Sequence, residues 1–254
     1  MQAIEGQYNF QPDSILKRSF EAIVRIYSMT DAGAGLRTHL ERLKSLRGAA
    51  ALSPPRLAEL KAFQASRLAR TYADIAAQPR YRLATSFFLQ DLYGPKDFSR
   101  RDDAMLRILP VMVRTMPAKG VEAAALAIEL EALSESLDHR AALELEAGPI
   151  DDGNYARAYR AGSTRAERER QIELIGMVGC NLDWLVKKPL VHGTLKLMRR
   201  PAKLAGLEDL QDFLERGFEA FRAMGGAEEF LATIHDRETR ILNRLFSGAA
   251  KPFS

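Results

Sequence analysis

The sequence holds one cysteine, one tryptophan and four histidines in 254 residues, and these scarcities remove several classes of function. A lone Cys180 cannot close an intramolecular disulfide or help to build a four-thiolate metal site, and a reducing cytoplasm fits that usage. It also has no histidine within helical reach to act as a base, so a structural role is the reading for it. No apolar run reaches the roughly 18 to 20 residues that cross a bilayer. Residues 1–9 carry no basic region followed by an apolar stretch, so a soluble, unprocessed chain is expected. Glycine-rich phosphate loops and a Gly-x-Ser-x-Gly nucleophile elbow are missing, and no cofactor motif replaces them. Repeats of fixed period are absent too. So are alternating runs of Val, Ile and Thr between turn signals, which leaves little for a sheet.

What is present is helical. Hydrophobic residues make up 46% of the chain, ample for a core, and Leu, Ala, Glu, Arg and Lys dominate. The expected fold is all-α, a compact helical bundle of about nine or ten helices. It should form a single domain over 1–254, with a candidate lobe boundary at 148–153, where Gly148-Pro149 and Asp151-Asp152-Gly153 interrupt the periodicity. The charge balance, 37 basic against 33 acidic residues for a net +4, is too mild to argue for nucleic acid. Its distribution is uneven, however: residues 187–203 contain Lys187, Lys188, Lys196, Arg199, Arg200 and Lys203 and no acid.

Leu16, Phe20, Ile23 and Tyr27 give the first helix an apolar face, closed by Asp31 and a Gly33-Ala34-Gly35 break. A second helix, about 36–47, carries Leu36, Leu40 and Leu43. Ser53-Pro54-Pro55 opens a third, expected to run to about residue 78 with Leu57, Leu60, Leu68, Tyr72 and Ile75 inward. Residues 79–117 then hold two helical segments around a sharp corner. Tyr81, Ala84, Phe88 and Leu92 share one face and Leu83 and Phe87 the next. Gly94-Pro95 ends the first segment, and Ser99 with Asp102 forms a capping box for the second. The stretch Phe87-Phe88-Leu89-Gln90-Asp91-Leu92-Tyr93-Gly94-Pro95-Lys96-Asp97-Phe98-Ser99-Arg100-Arg101-Asp102 resembles the signature of an uncharacterised bacterial family named after its FFLEELY motif. Gln90 and Asp91 depart from the two glutamates of that name but keep polar residues at helical positions. The resemblance implies membership and no activity, cofactor or site residue.

Beyond the corner, Met105, Leu109, Met112 and Met116 line one face. A flexible thioether stripe there, with Phe213 on a later phenylalanine-rich helix, is a candidate lining for an apolar ligand pocket, against the simpler reading of core packing. The longest periodic segment, about 121–147, places Leu126, Leu130, Leu133 and Leu137 inward and Glu131, Glu135, Asp138 and His139 on an outward face. Clustered carboxylates with a histidine invite comparison with bundle di-iron sites, but the Glu-x-x-His pair of those sites is missing. A solvated acidic face is expected, and no metal. Thr164 with Glu167 caps another helix, whose Gly176 and Gly179 would admit a close neighbour.

The segment from Pro189 to about Arg200 reads as an amphipathic basic helix, with Leu190, Val191, Leu197 and Met198 on one face and His192, Lys196, Arg199 and Arg200 on the other. Three readings follow: an ordinary surface helix, an anion-binding patch of Lys187, Lys188, Lys196, Arg199, Arg200 and Lys203, and a membrane-surface helix. A short apolar face without an aromatic anchor weighs against the last. In the final helix Glu238 interrupts a stripe of Phe230, Ile234, Ile241 and Leu245, with His235 one turn before. A carboxylate so placed needs a positive partner, a proton or a polar cavity. His235 and Glu238 are therefore candidates for an acid and base pair, against a structural ion pair with an arginine of a neighbouring helix. The sequence favours a non-catalytic cytoplasmic helical binding or adaptor protein. The alternative is a bundle enclosing a pocket for a lipid, haem or other small ligand with chemistry at Glu238. The partner is unspecified, a protein or a small molecule, and a homodimer is compatible with the pattern.

Overall fold

The helical periodicity read from the sequence is realised in the computed structural model, which describes residues 31–48, 54–89 and 118–253. The protein is all-α. In chain order the described helices are α1 Asp31–Gly48, α2 Leu57–Thr71, α3 Ala73–Ala76, α4 Arg82–Phe87, α5 Ala118–Leu143, α6 Asp152–Ala161, α7 Arg165–Val186, α8 Pro189–Leu204, α9 Glu208–Met224 and α10 Glu228–Phe246. The first helix expected from the sequence, the motif corner from Gln90 onward, and the stripe of Met105, Met112 and Met116 lie outside the described residues.

Helix α7 is the axis of the assembly, packed against α5, α10, α9 and α8. Thr164 starts it: its hydroxyl accepts from the Glu167 amide while the Glu167 carboxylate accepts from the Thr164 amide, the expected capping box. A second box, Asp151 with Asn154, starts α6 in the stretch read as a hinge. That loop is tied down further, since Arg56 donates to the carbonyls of Glu146 and Gly148 and Asn154 donates to that of Pro149.

Two buried apolar clusters flank α7. One gathers Leu57 and Leu60 of α2, Ala141 and Ala142 of α5, Tyr155 and Tyr159 of α6, and Ile241, Leu242 and Leu245 of α10, drawing residues from both sides of 148–153. The other joins Leu68, Tyr72, Ile75, Tyr81 and Ala84 to Phe221, Met224, Phe230, Leu231 and Ile234. Gly225, in the left-handed region at φ 66°, makes the turn from α9 into α10.

Several local expectations are corrected. The backbone is helical through Gly33-Ala34-Gly35, where the sequence suggested a break, and Asp31 is itself helical. The helix expected to reach residue 78 ends at Thr71, with Tyr72 and the one-turn α3 leading into α4. Leu83 is exposed while Phe87 is buried.

The acidic side of α5 is not a solvated face. Glu135 is 6% exposed, and Lys61 of α2 donates to it at 2.7 Å, with His139 at 3.4 Å and Arg47 of α1 at 3.4 Å, while Arg47 also reaches Glu131 at 2.8 Å. Gln64 of α2 donates to Asp138. The reason is that α5 is covered on more than one side, by α1 and α2 as well as α7, so a single leucine stripe does not define its inside. Desolvation works to raise the Glu135 carboxyl, but Lys61, then Arg47 and His139, outweigh it and hold it below its ordinary value. Burial pushes Asp138 the other way, upward.

Candidate functional site

Helix α8 is positioned by chemistry on its polar side. Lys188 is extended at the N-cap, Pro189 supplies the first turn, where its missing N–H costs nothing, and Gly206 at φ 67° follows the C-terminal end. Arg199 grips the Glu215 carboxylate of α9 with Nε at 2.7 Å and Nη2 at 2.5 Å. Gln211 of α9 donates to both the Leu195 carbonyl and Glu215 at 2.7 Å. His192 packs edge-on against Phe218, with ring centroids 5.1 Å apart, and accepts from Arg222. The Arg199 hydrogen bond holds Glu215 below the usual carboxylate range, while burial first, then Lys196 and Arg222, lowers His192.

The consequence is a reversal of the expected orientation. The side carrying His192 and Arg199 meets the protein, and the leucines face out: Leu190 is 79% exposed, Leu197 79% and Leu204 90%, with Met198 also exposed. Val191 turns toward the body of the protein and is half-buried. Sequence periodicity separated the two faces of α8 but not which one meets α9. The acidic partner Glu215 and the donor Gln211, on one side of α9, are the signal that decides it.

The six basic residues fall into two sets. Arg199 is committed to Glu215, Lys187 bonds Asp183 at 2.6 Å, and Lys203 lies 3.6 Å from Glu208. Lys196 and Arg200 are exposed beside the leucine ridge, and Lys188 lies over the Trp184 ring, 4.3 Å from its centroid.

His235 and Glu238 take different partners. Glu238 accepts from Arg67 of α2 and from the Tyr72 hydroxyl, both at 2.8 Å, so an arginine of a neighbouring helix does hold it. Burial alone would lower the Arg67 guanidinium, but Glu238 beside it keeps it above its ordinary value. His235 is exposed, 3.6 Å from Asp236. It lines an open groove of about 490 Å³ with Glu122 of α5 and Glu173, Gly176, Met177, Cys180 and Asn181 of α7. Cys180 thus shares a groove with a histidine that no spacing within its own helix could reveal, because the packing of α10 on α7 places it there. Phe213 packs against Phe87, ring centroids 5.3 Å apart.

Among the described residues no group of three or more His, Cys, Asp or Glu is placed to hold a metal ion, and no helix is long and apolar enough to cross a membrane. No curated protein and no solved structure matches the chain significantly. Residues 46–252, nearly all of the described helices, match one protein family, and the chain belongs to it: Domain of unknown function (DUF8198).

Proposed function

We propose that this is a non-catalytic helical binding or adaptor protein that docks through the outer face of α8. The observation that supports it is the leucine ridge, three large aliphatic side chains on one helix at 79% exposure or more. Isolated exposed leucines are ordinary, whereas an aligned apolar strip with a polar rim marks a docking surface. Lys188, Lys196 and Arg200 supply the rim, so the occupant carries negative charge.

The test places a photo-crosslinking amino acid at position 197 or 204, and at exposed control positions 144 and 169, in full-length protein expressed in its native host. The docking reading expects crosslinks concentrated at 197 and 204, and equal yields at all four positions would sink it. Crosslinks between two copies would make a homodimer the docked state. The second reading, a small-ligand site, draws on the groove around Cys180 and His235 rather than on Glu238, whose carboxylate is occupied by Arg67 and Tyr72. Native mass spectrometry of host-purified protein tests it, because a retained ligand raises the mass until the protein is denatured.

A further inference from the structure

Resting on the reading of α8 as the docking element, we infer that its occupant is the surface of an anionic lipid bilayer. Leu190, Leu197 and Leu204 recur at steps of seven. Successive members drift by only ~20° around a straight helix, so they form one ridge, and at 1.5 Å per residue it is roughly 21 Å long. The ridge is convex and stands on the side of α8 away from α9. A coiled-coil partner could pair with it only if a second apolar file ran alongside, alternating steps of three and four to make a seam of knobs and holes. The positions that would supply that file are Gly193 and Arg200 on one side and Thr194 and Pro201 on the other. Half of the seam is therefore missing. A fluid acyl layer needs no such complement, because it closes around any apolar ridge.

Charge points the same way. Lys196 and Arg200 follow one flank of the ridge and Lys188 sits at its N-terminal end, while Lys187 and Lys203 are paired with Asp183 and Glu208; residues 187–203 themselves include no acid. The nearby carboxylate of Glu215 is turned inward and neutralised by Arg199. Interfacial helices combine these features, an apolar face that enters the headgroup boundary by ~5–10 Å and basic residues at its margin. The leucines that would enter are Leu190, Leu197 and Leu204; the first two belong to the apolar face that periodicity suggests, whereas Val191 of that face turns inward. Three leucines anchor weakly without the charges, so attachment depends on both and is reversible.

The test is co-sedimentation of the full-length protein with vesicles of phosphatidylcholine alone and of phosphatidylcholine mixed with phosphatidylglycerol. Expected is binding to the mixed vesicles, little to the neutral ones, and weakening as salt is raised. The triple variant L190S/L197S/L204S and the double variant K196E/R200E should each lose about tenfold or more in binding. Circular dichroism and melting temperature should stay unchanged, because the altered side chains lie outside the core. No binding to the mixed vesicles, or binding that the leucine variant retains, overturns the lipid assignment. If crosslinks at 197 and 204 persist in that case, docking through α8 stands with a protein as occupant. If they too are absent, the docking reading falls with it.

Discussion

Glu238 shows how much one side chain can hold. Its carboxylate accepts from Arg67 and Tyr72, and Arg67 is itself buried, with Nε lacking any hydrogen-bond partner. Replacing Glu238 by Gln would leave that guanidinium without a counter-charge, so E238Q should cost roughly 3 kcal/mol. Tyr72→Phe removes one hydrogen bond and should cost about 1 kcal/mol. Urea denaturation of both variants checks the order, and equal costs would mean that the charge is not what matters. Glu167 gives a pH signature. The Arg140 hydrogen bond, opposed by burial and helped by the Thr164 amide and hydroxyl, holds it at about 2. Its folded value lies below its unfolded one, so its contribution is fully present above the ordinary glutamate range and fades as pH falls toward about 2. Arg140→Gln should therefore be less stable than wild type at neutral pH, with the gap shrinking through that acid window. A gap independent of pH would assign the loss to packing.

Close approaches between helices are set by glycines, and the structure separates three that look alike in sequence. A Cβ on Gly162 would stand 2.6 Å from the Ala141 amide nitrogen and 2.8 Å from its Cα, in the backbone of α5, which cannot yield. Gly162→Ala should cost about 2 kcal/mol by prising α6 from α5. On Gly179 a Cβ would meet Leu231 Cδ2 at 2.3 Å and Cδ1 at 2.9 Å, atoms of a side chain and not of the backbone, so the loss should be smaller. Gly176, on the groove, has nothing within 4 Å, and Gly176→Ala should stabilise by about 0.5 kcal/mol through helix propensity. Thermal melts of the three variants give the ranking directly, and a destabilised G176A would show that the groove wall is tighter than it stands here. The sequence made Gly179 legible as a contact because it lies in an apolar helix. It wrongly grouped Gly176 with it and passed over Gly162, because contact depends on which helix lies opposite. The same limit governs the site. Local signals such as the Thr164–Glu167 box and the stripe broken by Glu238 were readable. The facing of α8 and the burial of Glu135 were not, since each depends on partners, Glu215 or Lys61, brought in by the rest of the fold.

Across the whole molecule the question is whether 148–153 divides two lobes or joins one. We propose a single cooperative domain, and Phe253 supplies the means to test it. Its ring packs on Tyr155 of α6, with centroids 5.8 Å apart, and lies under the Arg67 guanidinium of α2 at 5.6 Å. It therefore touches helices that precede and follow the loop, and the arginine it covers is the one that holds Glu238 of α10. Phe253→Ala removes a partly buried ring and opens Tyr155 and Arg67 to water, and should cost about 2 kcal/mol, below the full core value because the ring is only half-buried. Far-UV ellipticity reports every helix, whereas Trp184 fluorescence reports the end of α7, well along the chain after the loop. If the domain unfolds as a unit, both midpoints fall together in F253A, because a loss at the α2–α6 junction is felt wherever the core is continuous. A Trp184 transition that stayed in place while the ellipticity moved would make 148–153 a true lobe boundary, with α7 to α10 able to stand when the α2 side has melted.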